Sequence, residues 1–336
     1  MSEAAAADFA GRLAERAAAR PRTLVFPEGE DPRIHRAVAR AVDDRLFEPV
    51  LLGDPAVLAR ALEAVGTSAD RVEVLDPGAR DRVERFAELL RARPGSSPRS
   101  AAEALALAAD PLQQGALMVA SGEVHGSVAG AVSTTAAVVR AALRGVGTAP
   151  GVETVSSSFY MTFGAHHPLG PRVLTFTDAA IVPEPTAEQL AGFGVAAARA
   201  RSAVVGDEPR VAFLSYSTKG SAGGPSVERV QEAVARFREL LPDVPADGEL
   251  QGDAALDAQI GQRKAAGSPV AGRANVLVFP DLDAGNIAYK LVQHLGSAHA
   301  FGPILHGLAA PCSDLSRGAV PEDIVAVACI TSLMAV

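Results

Sequence analysis

Thr23-Leu24-Val25-Phe26-Pro27, followed by Glu28-Gly29-Glu30-Asp31-Pro32, is a short apolar run closed by a loop of Pro, Gly and carboxylates. It reads as a first β-strand and its exit loop. The segments behind it decide the fold. Ile34 to Ala41 has helical spacing, Glu48-Pro49-Val50-Leu51-Leu52-Gly53 is a second strand and turn, Pro55 to Gly66 is a helix, and Val72-Glu73-Val74-Leu75 is a third strand. Strands alternating with helices at this pace predict parallel βαβ units and an α/β sandwich.

The rhythm continues along the chain. Asp81 to Arg93 is predicted helical and runs into a basic loop, Arg91-Ala92-Arg93-Pro94-Gly95-Ser96-Ser97-Pro98. A helix over Arg99 to Ala109, a strand over Ala116 to Ala120 and a small-residue loop to Gly126–Ala131 follow. Ser133-Thr134-Thr135 opens the next helix, with Arg140 one to two turns in. Hydroxyls at a helix N-terminus ordinarily cap it. With free amide N–H groups and a nearby arginine they also make an anion site.

Gly145 to Gly151 is the expected domain boundary. Beyond it, strands are predicted at Val173–Thr177, Val211–Ser215 and Val276–Phe279, and helices at Thr186–Ala203, Ser226–Leu240 and Ile287–Leu295. Phe301-Gly302-Pro303 is read as the point where the chain crosses back. The domain expectation is therefore 1–150 plus 303–336 as one α/β/α unit and 151–302 as the other.

Length and composition set the class. A chain of 336 residues with 48% hydrophobic content can bury a large core, and its length favours two domains. The net charge of -8 weighs against nucleic acid, and an anion ligand would need local basic groups. Trp is absent and aromatics are 4%, which weighs against base stacking. Two cysteines, Cys312 and Cys329, make no disulfide framework, so a reduced, cytoplasmic protein is expected. The Ala-rich first twenty residues are broken by Glu3, Asp8 and Glu15, unlike a signal peptide or a membrane span.

Chemistry is expected near the C-terminus. In Asp314-Leu315-Ser316-Arg317-Gly318-Ala319-Val320-Pro321-Glu322-Asp323, a hydroxyl and a permanent cation precede a carboxylate at the start of the apolar run Ile324–Met334. Pro321 suits a first helical position, which puts Asp323 in the first turn. Such a loop can aim a base and an anion-stabilising group at one centre. Taken alone, the segment reads better as a helix cap beside an exposed arginine. Gly-x-Gly-x-x-Gly after a strand, a P-loop and Gly-x-Ser-x-Gly are all missing, which disfavours nicotinamide, ATP and α/β-hydrolase chemistry. What remains are small-residue loops with a basic group, among them Ser215–Gly224 with Lys219. Gathered at the carboxyl ends of strands, they suit a phosphorylated ligand. His166-His167 lacks partners at metal-ligand spacing and is expected in a surface loop, so no metal is expected.

Seven ordered strings carry a resemblance. They are Ala129–Ala136 with Arg140, Leu214–Ala222, Asp247–Gln251 with Asp253–Ala255, Gly267–Gly272, Phe279–Leu282 with Gly285-Asn286, Asp314–Gly318, and the opening Phe26–Arg33. In these the chain resembles the phosphate acetyl/butyryltransferase family over nearly its whole length. The resemblance implies two α/β/α sandwich domains with mostly parallel sheets and a cleft between them, like isocitrate and isopropylmalate dehydrogenases. It implies reversible acetyl transfer between acetyl phosphate and coenzyme A, with inorganic phosphate as the other product, in a ternary complex without an acyl-enzyme. Coenzyme A is then a substrate, no cofactor is tightly bound, and a homodimer acting in acetate metabolism is expected. Carried over by position, Asp323 takes the thiol proton, Arg317 stabilises charge at the carbonyl and phosphate, and Ser316 hydrogen-bonds the reacting centre. Arg140 and either Arg91 or Arg93 hold phosphate, with Arg91 fitting the family spacing better. Thr134 and Thr135 stand where the family has hydroxyls near substrate, and Lys219 lies in a matching string.

A thiol near ~8.5 against an ordinary aspartate near ~3.9 makes full proton transfer cost about 6 kcal/mol. Desolvation of Asp323, or proton transfer concerted with attack, is therefore expected. The chain departs from the family pattern at Ala319, where several relatives have Cys, at Ala141, where Pro is usual, and over Thr162–Pro171. Three alternatives stand beside this reading. A phosphate propionyl- or butyryltransferase differs only in pocket shape. A metal-dependent 2-hydroxyacid dehydrogenase would need a carboxylate cluster that the sequence does not display. A non-enzymatic module would not need Ser316, Arg317 and Asp323.

Overall fold

The computed structural model describes residues 2–93, 98, 100–168 and 170–335. Residues 94–97 of the basic loop, Arg99 at the predicted helix start, and Leu169 in the His166-His167 segment lie outside the described residues.

After helix α1 (Ser2–Ala18) the expected βαβ series forms: β1 (Thr23–Phe26), α2 (Pro32–Asp43), β2 (Glu48–Leu52), α3 (Pro55–Ala64) and β3 (Glu73–Leu75). Helices α2 and α3 each begin with Pro at the first position and an Asp cap, Asp31 or Asp54, accepting backbone N–H groups. Helices α4 (Arg80–Ala92), α5 (Ala101–Ala108) and α6 (Pro111–Ser121) come next, then β4 (Gly126–Ala129) and α7 (Thr135–Gly145).

Here the sequence reading needs a correction. Ala116–Ala120, expected as a strand, is the second half of α6. Asp110 caps that helix, Pro111 starts it and Gly122, at φ 77, ends it in the left-handed conformation. The run lacks polar punctuation because α6 is buried nearly all round, from Gln113 to Val119. An apolar run of this length does not by itself separate strand from buried helix.

The second half contains β5 (Ser156–Phe163), β6 (Arg172–Thr177), α8 (Ala187–Val204), β7 (Val211–Leu214), α9 (Pro225–Leu240) and β8 (Ala246–Leu250). It ends with α10 (Gly252–Leu256), α11 (Ala258–Lys264), β9 (Val276–Val278), α12 (Leu282–Leu295) and β10 (His299–His306). Strand β5 had no counterpart in the sequence reading. Its serines look like loop, yet all eight of its residues are buried. Helix α12 begins five residues earlier than expected because Asp281 caps it. The chain closes with β11 (Cys312–Asp314) and α13 (Pro321–Met334).

The chain divides into two compact units, one of residues 12–150 and 308–336, the other of residues 1–11 and 151–307. The first eleven residues, expected with the former, group with the latter, where the Phe9 ring lies 6.1 Å from Tyr160 and 5.5 Å from Phe301. Phe301-Gly302-Pro303 is no crossing point either, because β10 runs through it and pairs antiparallel with β5 on both sides of a bulge.

The 12–150/308–336 unit holds a sheet ordered β11-β4-β1-β2-β3, parallel throughout. Its core includes Val25, Val50, Leu52, Phe86, Leu117 and Met118. The other unit holds a sheet ordered β10-β5-β6-β9-β7-β8, antiparallel at β10-β5-β6 and parallel from β6 to β8. The all-parallel sheet reverses its winding between β1 and β4: β2 and β3 lie to one side of β1, β4 and β11 to the other. Exit loops diverge at such a reversal and leave a crevice outside the carboxyl ends of the strands, where ligands bind in open α/β sheets.

Candidate active site

Three loops meet at that reversal, those leaving β1, β4 and β11. The loop after β1 carries two carboxylates with different tasks. Asp31 accepts the Arg33 N–H at 2.8 Å as the cap of α2, and also accepts Arg33 Nε at 3.0 Å and Nη2 at 2.8 Å. The Arg33 side chain holds the Asp31 carboxyl below the usual carboxylate range. The Glu28 carboxylate accepts four backbone N–H groups of the loop after β4. Gly130 and Ala131 donate to Oε2 at 2.8 and 2.7 Å, Val132 and Ser133 to Oε1 at 3.2 and 2.7 Å. Successive amides pointing into one concavity form an anion nest. The anion expected at the start of α7 therefore meets an internal carboxylate: the amides of residues 130–133 are already engaged.

Arg33 joins all three loops. Besides Asp31, its Nη2 donates to the Ala131 carbonyl at 2.7 Å, and its Nη1 to the carbonyls of Arg317 at 2.7 Å and Ala319 at 3.2 Å. A planar fork suits this task, because its donors reach separate acceptors without torsional rearrangement. The grip holds the backbone of the 315–320 loop while the side chains of Ser316 and Arg317 remain exposed. Ser316 Oγ accepts the Gly318 N–H at 3.3 Å, a turn contact that leaves its own proton available.

Asp323 stands in the first turn of α13, where Pro321 was expected to start the helix. It accepts the Val320 N–H on Oδ2 at 3.1 Å and is half-buried. The desolvation expected of it is thus only partial. Behind the helix start, Ile324 to Ser332 are buried without a break, so α13 is a fixed base for the loop.

Helix α7 supplies the remaining predicted residues of this unit. Thr134 caps it, accepting the Ala137 N–H at 3.3 Å. Thr135, half-buried, donates its hydroxyl to Asp314 Oδ2 at 2.5 Å. Arg140 is exposed further along the helix. At the helix's far end the Val146 carbonyl accepts from Arg93 Nη2 at 3.0 Å, where a cation complements the C-terminal dipole. Arg91 is exposed in the last turn of α4. The structure therefore gathers Ser316, Arg317, Asp323, Thr134 and Thr135 onto the loops and helix starts of one sheet end, with Arg140 midway along α7. Lys219 belongs to the other unit, where its ammonium donates to Asp247 at 2.5 Å and to the Gly248 carbonyl at 3.1 Å.

Asp314 ends β11 and is fully buried. Burial pushes its carboxyl up to about 7, with the Glu28 charge adding to the effect and the Thr135 hydroxyl opposing it. Gly130, at φ +103, makes room for it, since a Cβ there would lie 2.2 Å from Asp314 Oδ1. Arg33, Glu28 and Asp314 had no assigned role in the sequence reading. All three lay inside quoted family strings, and the one local signal was a carboxylate two residues before an arginine at a helix start.

Both cysteines are buried free thiols, pushed up to about 12 by burial. Among the described residues no group of His, Cys, Asp and Glu is arranged to hold a metal ion. His166 is exposed as expected, and the half-buried His167 ring packs 4.7 Å from Phe163.

Comparison with known proteins adds four likenesses. The sequence profile described as Phosphate acetyl/butaryl transferase matches residues 8–332. A phosphate acetyltransferase of Thermoanaerobacterium thermosaccharolyticum is 42% identical over 331 residues, covering 96% of this chain and 98% of that protein. Among solved structures, a phosphotransacetylase from Streptococcus pyogenes superposes with a TM-score of 0.89 at 37% identity, covering 97% of this chain and 98% of that one. The EutD phosphotransacetylase from Staphylococcus aureus gives 0.89 at 33% identity, covering 98% and 99%.

Proposed function

Because the chain belongs to the phosphate acetyl/butaryl transferase family and is an acyltransferase, we propose that it moves an acetyl group reversibly between acetyl phosphate and coenzyme A. The observation that carries this reading is the Arg33 clamp. One guanidinium, anchored on Asp31, fixes the carbonyls of Arg317 and Ala319 and leaves the Ser316 hydroxyl and Arg317 guanidinium facing outward for substrate.

In the forward step the coenzyme A sulfur attacks the acetyl carbonyl, the C–O bond to phosphate breaks, and inorganic phosphate leaves. Asp323 accepts the thiol proton. The pKa gap between a thiol and an ordinary carboxylate costs about 6 kcal/mol for a complete transfer. The proton therefore moves as the C–S bond forms. Arg317 offers a planar, permanently charged fork to the carbonyl and phosphate oxygens as charge develops there. Ser316, with its proton uncommitted, donates to the same centre. Attack is direct, without an acyl-enzyme, which agrees with thiols that are buried.

Arg140 and Arg91 would hold phosphate groups. Arg91 fits the family spacing better than Arg93, whose Nη2 donates to the Val146 carbonyl at 3.0 Å. Thr134 and Thr135 line the start of α7. Coenzyme A is a substrate and no cofactor is tightly held. No described helix is long and apolar enough to cross a membrane, and a cytoplasmic role in acetate metabolism suits the reading. Homodimerisation belongs to it too: Ile287, Leu291 and Leu295 form an exposed apolar stripe along α12, of a kind that a protein surface covers.

The test is acetyl-CoA formation by the purified chain from acetyl phosphate and coenzyme A, with no metal or nucleotide added. Absence of thioester formation would overturn the reading. Propionyl and butyryl phosphate as parallel substrates decide acyl length, where one methylene is worth about 1–3 kcal/mol.

A further inference from the structure

Asp314 and Thr135 form a buried pair that the reaction above leaves unused. Asp314 Oδ2 meets the Thr135 hydroxyl at 2.5 Å, while Oδ1 is buried with no hydrogen-bond partner. A carboxylate with one oxygen unpaired in a dry site carries a desolvation cost that a neutral acid largely avoids. Among the described residues no cation acts on it to compensate. The charged group that bears on it is Glu28, from the loop after β1, an anion held in place by four amides. From α7 it meets Thr135, and from its own exit loop the Leu315 N–H. Geometry alone thus favours the protonated acid, and the carboxyl's displacement to about 7 agrees with it.

The consequence lies in the single proton of the Thr135 hydroxyl. Against a carboxylate, Thr135 must donate inward, and only its lone pairs face the crevice. Against the neutral acid, Asp314 donates to Thr135 Oγ1, and the hydroxyl proton turns outward. The same oxygen–oxygen separation serves both directions.

We propose that Asp314 is a positioning residue for the transfer: as the neutral acid it donates to Thr135 and makes that hydroxyl a donor to the phosphoryl oxygens of the substrate. As the carboxylate it takes the Thr135 proton and leaves an acceptor facing those oxygens, which repels them. Binding of acetyl phosphate is then coupled to uptake of one proton by Asp314. The proposal rests on the acetyl phosphate reading of the site.

The experiment follows KM for acetyl phosphate, whose own charge is constant near neutrality, across about pH 6 to 8.5. Wild type, Asp314→Asn and Thr135→Val are compared, with thermal melts confirming that each is folded. In the wild type, KM is expected to rise about tenfold through this range as the donor is lost. Asp314→Asn keeps a fixed N–H donor to Thr135 and should give a flat, low KM. Thr135→Val has no hydroxyl to turn and should give a flat, high KM. Calorimetry of acetyl phosphate binding in two buffers of different ionisation enthalpy should show proton uptake above about pH 7 in the wild type and none in either variant. A wild-type slope that survives in Asp314→Asn or in Thr135→Val overturns the proposal, because a merely structural role lowers stability without removing a slope. A wild type that turns over with a flat KM overturns it as well. A wild type with no transfer activity at any pH fails the functional reading itself.

Discussion

Arg33 Nη1 donates to the backbone carbonyl of Arg317 at 2.7 Å, so one arginine fixes the loop that presents another. The second guanidinium is exposed and charged, and its aim depends on a backbone that Arg33 holds from beneath. Positioning of this kind matters because a misplacement of about 1 Å can cost ~100-fold in rate.

Arg33→Gln should therefore lower kcat by about 10- to 100-fold, with thermal stability reduced by on the order of 1–3 kcal/mol from carbonyls left unpaired. Arg33→Lys should not restore the rate, since an ammonium lacks a planar fork. Steady-state kinetics with melting curves check this, and a fully active Arg33→Lys would contradict the clamp.

Asp323→Asn removes the proposed proton acceptor, while the Asn side-chain oxygen can still accept the Val320 N–H. Turnover should fall by about 100-fold or more while binding of acetyl phosphate changes less than about threefold. Near-normal turnover would rule out Asp323 as the base.

Arg317→Ala should cost far more rate than Lys219→Ala, by about 10-fold at least. The Lys219 ammonium is tied to Asp247 and Gly248, so its loss should show chiefly as lowered stability. Comparing kcat/KM and melting temperature for the two variants separates these effects.

Asp314 gives stability a pH dependence of definite sign. Its carboxyl stands at about 7 when folded, against about 3.9 unfolded. The folded state therefore binds more protons between these values, and the contribution of this group falls as pH rises from about 4 to 7, then levels. Asp314→Asn cannot ionise. Relative to wild type it should gain stability progressively from about pH 5 to 7 and hold a constant gain above, of at most a few kcal/mol. Denaturant titrations at a series of pH values measure the difference, and a gain that shrinks with pH would reverse the assignment.

How legible the protein was depended on whether a residue's role was local. Thr134 and Pro321 announce helix starts through chemistry confined to a few neighbours, and both helices begin where expected. The first three strands of the parallel sheet show as apolar runs between turns. Strand β5 does not, because Ser156, Ser157 and Ser158 bury their hydroxyls in the middle of a sheet, against the ordinary meaning of a serine run. The Ala116–Ala120 segment failed for the opposite reason, a helix too buried to show a polar face. In the site, Ser316, Arg317 and Asp323 stood out as a hydroxyl, a cation and a carboxylate at a helix start, and the family resemblance gave them roles. Arg33 was illegible as a clamp because its acceptors are carbonyls about 100 and 280 positions away, and a backbone carbonyl leaves no mark in a sequence. Glu28 was hidden in the same way by four amides of a distant loop.

The Glu28 carboxylate also changes when the loop after β4 becomes ordered. Many phosphate-binding turns are completed by the phosphate itself, and each encounter then includes the entropy of fixing the turn, about 1–2 kcal/mol per residue. Here a resident anion substitutes for the visitor. The four amides of the turn are engaged by Glu28 from within the chain, so the ordering of this turn belongs to folding and is no part of the cost of an encounter.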